Sequence, residues 1–200
     1  MGPTGLAAEC HGGGGEGHLR FALSGGALWT DLHVNGNKTS LTEQTISASV
    51  SVQLSSRITL LGGAGGVLGG AVGDASFGGG ALAFVGASYR ALAPDGAVPV
   101  VSVSATLAAA HARAAGNGFS STDLKLAVSA AWPIARVFAP YLAAAAFGGP
   151  IFYRDGIRGD RYHYQLIAGA AVALPQGLDL FIESSPVGAR TVSGGVGLTY

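Results

Sequence analysis

Several stretches of this chain alternate residue by residue between apolar and small polar side chains. That period of two limits its possible folds more than any other feature. In residues 45–54 (TISASVSVQL), Ile46, Ala48, Val50, Val52 and Leu54 share one parity, and Thr45, Ser47, Ser49, Ser51 and Gln53 the other. Residues 101–109 set Val101, Val103, Ala105, Leu107 and Ala109 against Ser102, Ser104, Thr106 and Ala108. Residues 123–132 put Leu124, Leu126, Val128, Ala130 and Trp132 on one face; residues 162–174 do so with Tyr162, Tyr164, Leu166, Ala168, Ala170, Val172 and Leu174. Successive side chains of a strand point to opposite sides, so each stretch reads as a strand with two unlike faces.

A soluble sandwich alternates too, but its polar face meets water and carries Lys, Glu and Arg. Here the polar face carries Ser, Thr, Gln, Gly and Ala. Only 11% of the 200 residues are charged, against about 25% in an ordinary soluble domain. A small, uncharged face suits a confined lumen, and the apolar face then meets lipid. The balance of 11 basic and 11 acidic residues excludes a nucleic-acid binder, and a hydrophobic content of 48% excludes disorder over most of the chain. A spanning helix needs about 20 mainly apolar residues. Long uncharged stretches at residues 58–73, 96–112 and 137–153 are broken by glycine runs, by Pro99, and by Pro140 and Pro150. The fold expected is therefore all-β, a transmembrane antiparallel up-and-down β-barrel over residues 19–200.

Ten segments approach spanning length: 19–34, 44–55, 58–70, 80–92, 98–113, 122–133, 138–153, 162–174, 178–185 and 190–200. Ten strands are favoured, with eight as the alternative if one hairpin is misread. The first segment is expected to slip phase near Gly25–Gly26, as at a bulge. Connections at 56–57, 94–96, 133–137 and 175–177 read as tight turns. Those at 35–43, 71–79, 114–121 and 154–161 read as longer, more polar loops. Short turns on one side and longer loops on the other match periplasmic turns and extracellular loops. Trp132, Tyr162, Tyr164 and Tyr200 fall near strand ends, where interfacial girdles place aromatics.

The last strand, TVSGGVGLTY, ends on Tyr200, with Leu198, Val196, Gly194 and Val192 sharing its parity. This resembles the C-terminal signature of bacterial outer-membrane barrels. The stretch LFIESSPVGARTVSGGVGLTY is similar to the closing hairpin of small OmpA- or OmpW-like barrels. The resemblance implies residence in the bacterial outer membrane and recognition of the last strand by the assembly machinery. It implies lipid and lipopolysaccharide as surroundings. It fixes location more than activity, since the family runs from anchors to narrow pores, receptors and a few enzymes.

Residues 1–18 read as a flexible periplasmic segment. No basic n-region or apolar h-region marks a secretory leader there, so a leader is expected to be missing from this sequence. Cys10 alone allows no intrachain disulfide, and Glu9 before it is wrong for lipoprotein cleavage. Cys10, His11 and His18 flank the glycine run 12–15, too floppy to count as a metal site.

Five ionisable residues share the inward parity: Arg20, Asp123, Lys125, Asp179 and Glu183. Arg20 and Asp179 are expected near the periplasmic end and the other three in the extracellular half, either as structural salt bridges across the lumen or as a weak selectivity constriction at Lys125 and Glu183. With few bulky inward residues beyond Phe84, Ile167 and Phe181, the expected lumen is narrow and water-filled, and the expected function is passive passage of small solutes by a monomer. A closed structural or anchoring barrel is the alternative. An enzyme is the rival class, with His163, Glu183, Ser184 and Ser185, or Asp31 and His33, as the only candidate sets. No recognised catalytic string surrounds them, so no catalysis, cofactor or metal is expected. Arg154, Asp155, Arg158, Asp160 and Arg161 form a charged loop cluster read as a solvated rim facing anionic lipopolysaccharide.

Overall fold

Wherever the sequence alternates, the computed structural model carries a strand; it describes residues 19–34, 37–92, 98–114, 117–134, 137–153, 156–160 and 162–200. The strands are β1 (Leu19–Val34), β2 (Asn37–Gln53), β3 (Ile58–Val72), β4 (Ala75–Leu92), β5 (Val100–Ala114), β6 (Asn117–Ala131), β7 (Phe138–Gly148), β8 (Ile151–Tyr153), β9 (Gly156–Asp160), β10 (Tyr164–Ala173), β11 (Leu178–Gly188) and β12 (Arg190–Thr199). Each pairs antiparallel with its neighbours, and β12 returns to pair with β1 from Arg20↔Thr199 to Trp29↔Arg190. The result is a closed antiparallel barrel of ten strands. Closure satisfies every edge, which an open sheet cannot do.

Both described ends lie at one rim, called here the lower end, where Tyr200 N–H donates to the Leu19 carbonyl at 2.9 Å. The lower turns are tight. The Ser55 hydroxyl accepts from the amides of Arg57 and Ile58. Pro175–Gly177 forms a 3-10 turn in which Gln176 and Gly177 take positive φ. The upper connections are shorter than the sequence suggests. Strands β2, β4 and β6 begin at Asn37, Ala75 and Asn117, inside stretches expected to be loop. Their polar composition reflects strand faces beyond the apolar band rather than a lack of ladder pairing. The turn after β3 needs only Gly73, at φ 58, and Asp74.

The outward set is the one the alternation assigns: Val128 is 51% exposed, and its neighbour Ser129 is 3% exposed. A surface lined by Leu, Val, Ile and aromatic side chains, with serine and charge turned inside, inverts a soluble protein and fits a bilayer. The expected slip at Gly25–Gly26 is absent. β1 keeps one register against both β2 and β12 through those glycines. What changes there is the inward chemistry, from Arg20 and Ser24 below to Leu28 and Leu32 above.

The two prolines of the seventh segment sit where a ladder tolerates them. Gly149–Pro150 separates β7 from β8, and a Cβ on Gly149 would overlap the Thr122 carbonyl. Pro140 lies near the lower end of β7, opposite Ala170.

The wall changes along its height. Below, β7 joins β6 to β10, and β10, β11 and β12 complete the circle. Above, β8 continues β7 against β6 and pairs with β9. β9 then pairs directly with β1, through Leu32↔Asp160 and His33↔Gly159. Among the described residues, the upper ring is thus built from eight strands, β1–β6, β8 and β9. The β11–β12 tip ends beneath it, with Ala189 fully buried.

Candidate functional site

The interior holds the inward ionisable residues, and it divides into three levels. At the lower end Arg20 meets Asp179. Its Nε and Nη2 donate to the two carboxylate oxygens at 2.9 and 2.6 Å, and both residues are buried. Two parallel charge-assisted bonds fix both side chains. Gly197 faces them from β12, and a Cβ there would overlap the guanidinium and the carboxylate.

Glu183 occupies the next level. Its two oxygens accept from the Tyr141 hydroxyl at 2.9 Å and the Ser193 hydroxyl at 2.8 Å. The Ser24 and Ser47 hydroxyls meet at 3.0 Å. Asp123 and Lys125 follow one another on the inward face of β6, and Lys125 Nζ stands 6.0 Å from the centroid of the Phe147 ring. Asp123 Oδ1 and Gln165 Oε1 are buried with no protein donor, while Gln165 Nε2 donates to the Ala189 carbonyl at 2.9 Å.

The upper level is mainly apolar, with buried Thr30 and Glu43 among its leucines. Phe77 and Phe119 stack with centroids 5.5 Å apart and planes 7° from parallel. Around them pack Leu28, Leu32, Leu41, Val67 and Ala189 with further buried side chains of β3–β8. A ring of about eight strands is just wide enough to be filled by side chains, which is the strand count of the upper wall.

Four rings seal the wall in one repeated way. Phe84 lies over Gly63, Phe77 over Gly70, Tyr141 over Gly169 and Phe181 over Gly195; in each case a Cβ on the glycine would overlap the ring. Each is also a directly opposed cross-strand pair. Phe84, Phe181 and Ile167 all point inward and are buried. The small inward residues between them, Ser102, Ser104, Ala127, Ser129 and Ala131, are buried as well. The expectation of a water-filled bore thus meets a packed interior among the described residues. The sequence shows small inward side chains, but not that aromatic rings and the β11–β12 tip fill the space they leave.

Glu43 is an inward acid that sequence reasoning missed. It has the parity of Thr45 and Ser47 and is buried, but it fell in a stretch read as loop. Extending the alternation two residues upstream would have found it.

The candidate catalytic groups are held by separate partners. Ser185 donates to the Val187 carbonyl at 3.1 Å, His163 Nδ1 lies 3.3 Å from the Phe147 carbonyl, and Glu183 is bound as above. Ser184 shares the outward parity of Ile182. Asp31 pairs with Lys38 at 3.0 Å. The side chain of His33 lies outside the described residues, as do residues 1–18 with Cys10, His11 and His18. Of the charged loop cluster, Arg154, Asp155 and Arg161 lie outside them too, and only the backbone of Arg158 and Asp160 is within. Trp132 and Tyr200 are exposed at the lower end. Tyr162 and Tyr164 meet edge to face at the upper end, with centroids 6.3 Å apart.

No family model matches the chain, and no curated protein does. Solved structures do. The translocator domain of the autotransporter NalP from Neisseria meningitidis aligns over 98% of this chain and 92% of its own, at 13% identity and a TM-score of 0.54. The beta domain of the Bordetella autotransporter BrkA aligns over 92% and 100%, at 13% identity and a TM-score of 0.52. The outer-membrane protease OmpT from Escherichia coli aligns over 91% and 96%, at 8% identity and a TM-score of 0.51. Two are autotransporter domains and one is a protease, all on one architecture, and at such identities the likeness is one of fold. This chain has the fold of the bacterial outer-membrane β-barrels.

Proposed function

We propose that this protein is an integral outer-membrane barrel, its lower end periplasmic, that acts as a closed structural or anchoring element rather than as a conduit. The observation that carries this reading is the mainly apolar upper level. The Phe77–Phe119 stack, from β4 and β6 on either side of β5, belongs to one buried apolar cluster that also takes in Leu28, Leu32 and Leu41 from β1 and β2 inside the eight-strand ring. Water and ions do not cross a hydrophobic constriction of that kind without its opening. Beneath it, the Arg20–Asp179 and Glu183–Tyr141–Ser193 networks behave as structural crosslinks, every member held by another. Lipid and lipopolysaccharide are the partners of the outer surface, with the assembly machinery reading the last strand and the barrel standing as a monomer.

A narrow passive pore is the competing reading, and one experiment separates the two. Refolded protein, its fold verified by strand circular dichroism and heat-shifted electrophoretic mobility, is placed in a planar bilayer. The closed barrel passes no steady single-channel current. Reproducible conductance that changes on Lys125→Glu would overturn it in favour of the pore.

A further inference from the structure

The apolar band around the barrel stops abruptly on β5. The outward face of that strand reads Val103, Ala105, Leu107 and Ala109, then His111 and Arg113, all exposed, while Ala110 and Ala112 turn inward. The same change occurs at the same height on β6, where Leu126 and Leu124 give way to Thr122, Ser120 and Gly118. The register sets Ala109 opposite Thr122, His111 opposite Ser120 and Arg113 opposite Gly118. His111 Nδ1 and the Ser120 oxygen lie 2.8 Å apart, which holds the imidazole on the wall and leaves its Nε2 facing out. Gly118, across from Arg113, adds no side chain over the guanidinium. Among the described residues no carboxylate pairs with Arg113. Two other exposed cations do have partners: Lys38 is on Asp31, and Arg57 donates to the Tyr89 hydroxyl at 3.2 Å.

We propose that this β5–β6 face binds the phosphate of an outer-leaflet lipid, with the acyl chains of the same lipid lying on Leu107, Leu124 and Leu126. Arg113 offers a planar fork matched to two phosphate oxygens. His111 offers one N–H, and Ser120 and Thr122 offer hydroxyls, all on one patch two strands wide. The cationic group caps an apolar stripe, so a ligand with a phosphate and a tail is recognised at both ends, whereas free phosphate is recognised at one. The site rests on the reading that the chain spans the outer membrane.

The test uses the full chain in phosphatidylcholine nanodiscs. Binding of phosphorylated lipid A and of its dephosphorylated form is compared by native mass spectrometry, with inorganic phosphate as competitor. The site should retain the phosphorylated lipid about tenfold or more over the dephosphorylated one, the scale on which a single charge-assisted hydrogen bond changes affinity. Arg113→Gln and His111→Gln should each bring that ratio toward one, and Arg57→Gln should leave it unchanged. Equal retention of both lipids, or a ratio that Arg113→Gln does not move, would overturn the site. Complete displacement by inorganic phosphate would overturn the commitment to a lipid. Membrane insertion is scored separately, by heat-shifted mobility and protease resistance in outer-membrane fractions. Its failure would sink the barrel reading itself rather than the site.

Discussion

Glycine inside this barrel is a seat for an aromatic ring. At Gly169 the Tyr141 ring and hydroxyl occupy the volume a side chain would need, and that hydroxyl then reaches Glu183. Packing and hydrogen bonding are therefore coupled through one missing Cβ. Gly169→Val should destabilise the barrel by about 1–3 kcal/mol, the usual cost of overpacking. Gly78→Ala, with no atom within 4 Å of its added carbon, should stay within about 0.5 kcal/mol. Urea unfolding midpoints in detergent distinguish the two. The Arg20–Asp179 pair follows a different rule. Asp179→Ala strands a buried guanidinium and should cost about 3–5 kcal/mol, while replacing both members by apolar residues of similar volume should recover most of the loss. A double-mutant cycle with Arg20→Met and Asp179→Leu measures this; equal losses in the single and double variants would refute it. None of these pairings is readable from sequence. Parity says which side chains face inward, but not which two meet across a register that separates Arg20 from Asp179 by most of the chain.

At the level of the strand, facing was legible and length was not. The alternation in β2, β5, β6 and β10 separates their lipid and lumen sides correctly, because a one-residue slip would turn every apolar side chain to the wrong face. Val128→Lys, on the lipid side of β6, should therefore cost about 2–4 kcal/mol of folding into a bilayer. Ser76→Lys, exposed at the upper end of β4 on the face opposite the buried Phe77, should cost about 0–1 kcal/mol near the interface. Folding titrations into lipid vesicles provide the comparison. Strand ends were misjudged where polar residues continue the ladder past the apolar band, as at the start of β2, and that error hid Glu43. The supposed break in β1 has the same origin. Leu28 and Leu32 look out of phase only if the lumen is assumed to stay polar to the top.

For the whole molecule, the strand count was within reach of the sequence and the packing of the interior was not. Ten segments of spanning length can be counted along the chain. The narrowing to eight strands depends on β9 crossing to β1, which brings together residues as far apart in sequence as Leu32 and Asp160. The silence expected in the planar bilayer tests that closure at the same scale. Weakening it should be visible as well. Phe77→Ala together with Phe119→Ala removes the stack and should destabilise the barrel by about 3–5 kcal/mol per ring, read from unfolding midpoints. The hydrogen bonds between Leu19 and Tyr200 lead further. From the standpoint of the ladder the circle has no privileged starting point, and the backbone could be cut elsewhere. A circular permutant that begins at Asp74 and joins Tyr200 to Leu19 through residues 1–18 would keep every strand pairing, with its new ends at an exposed two-residue turn.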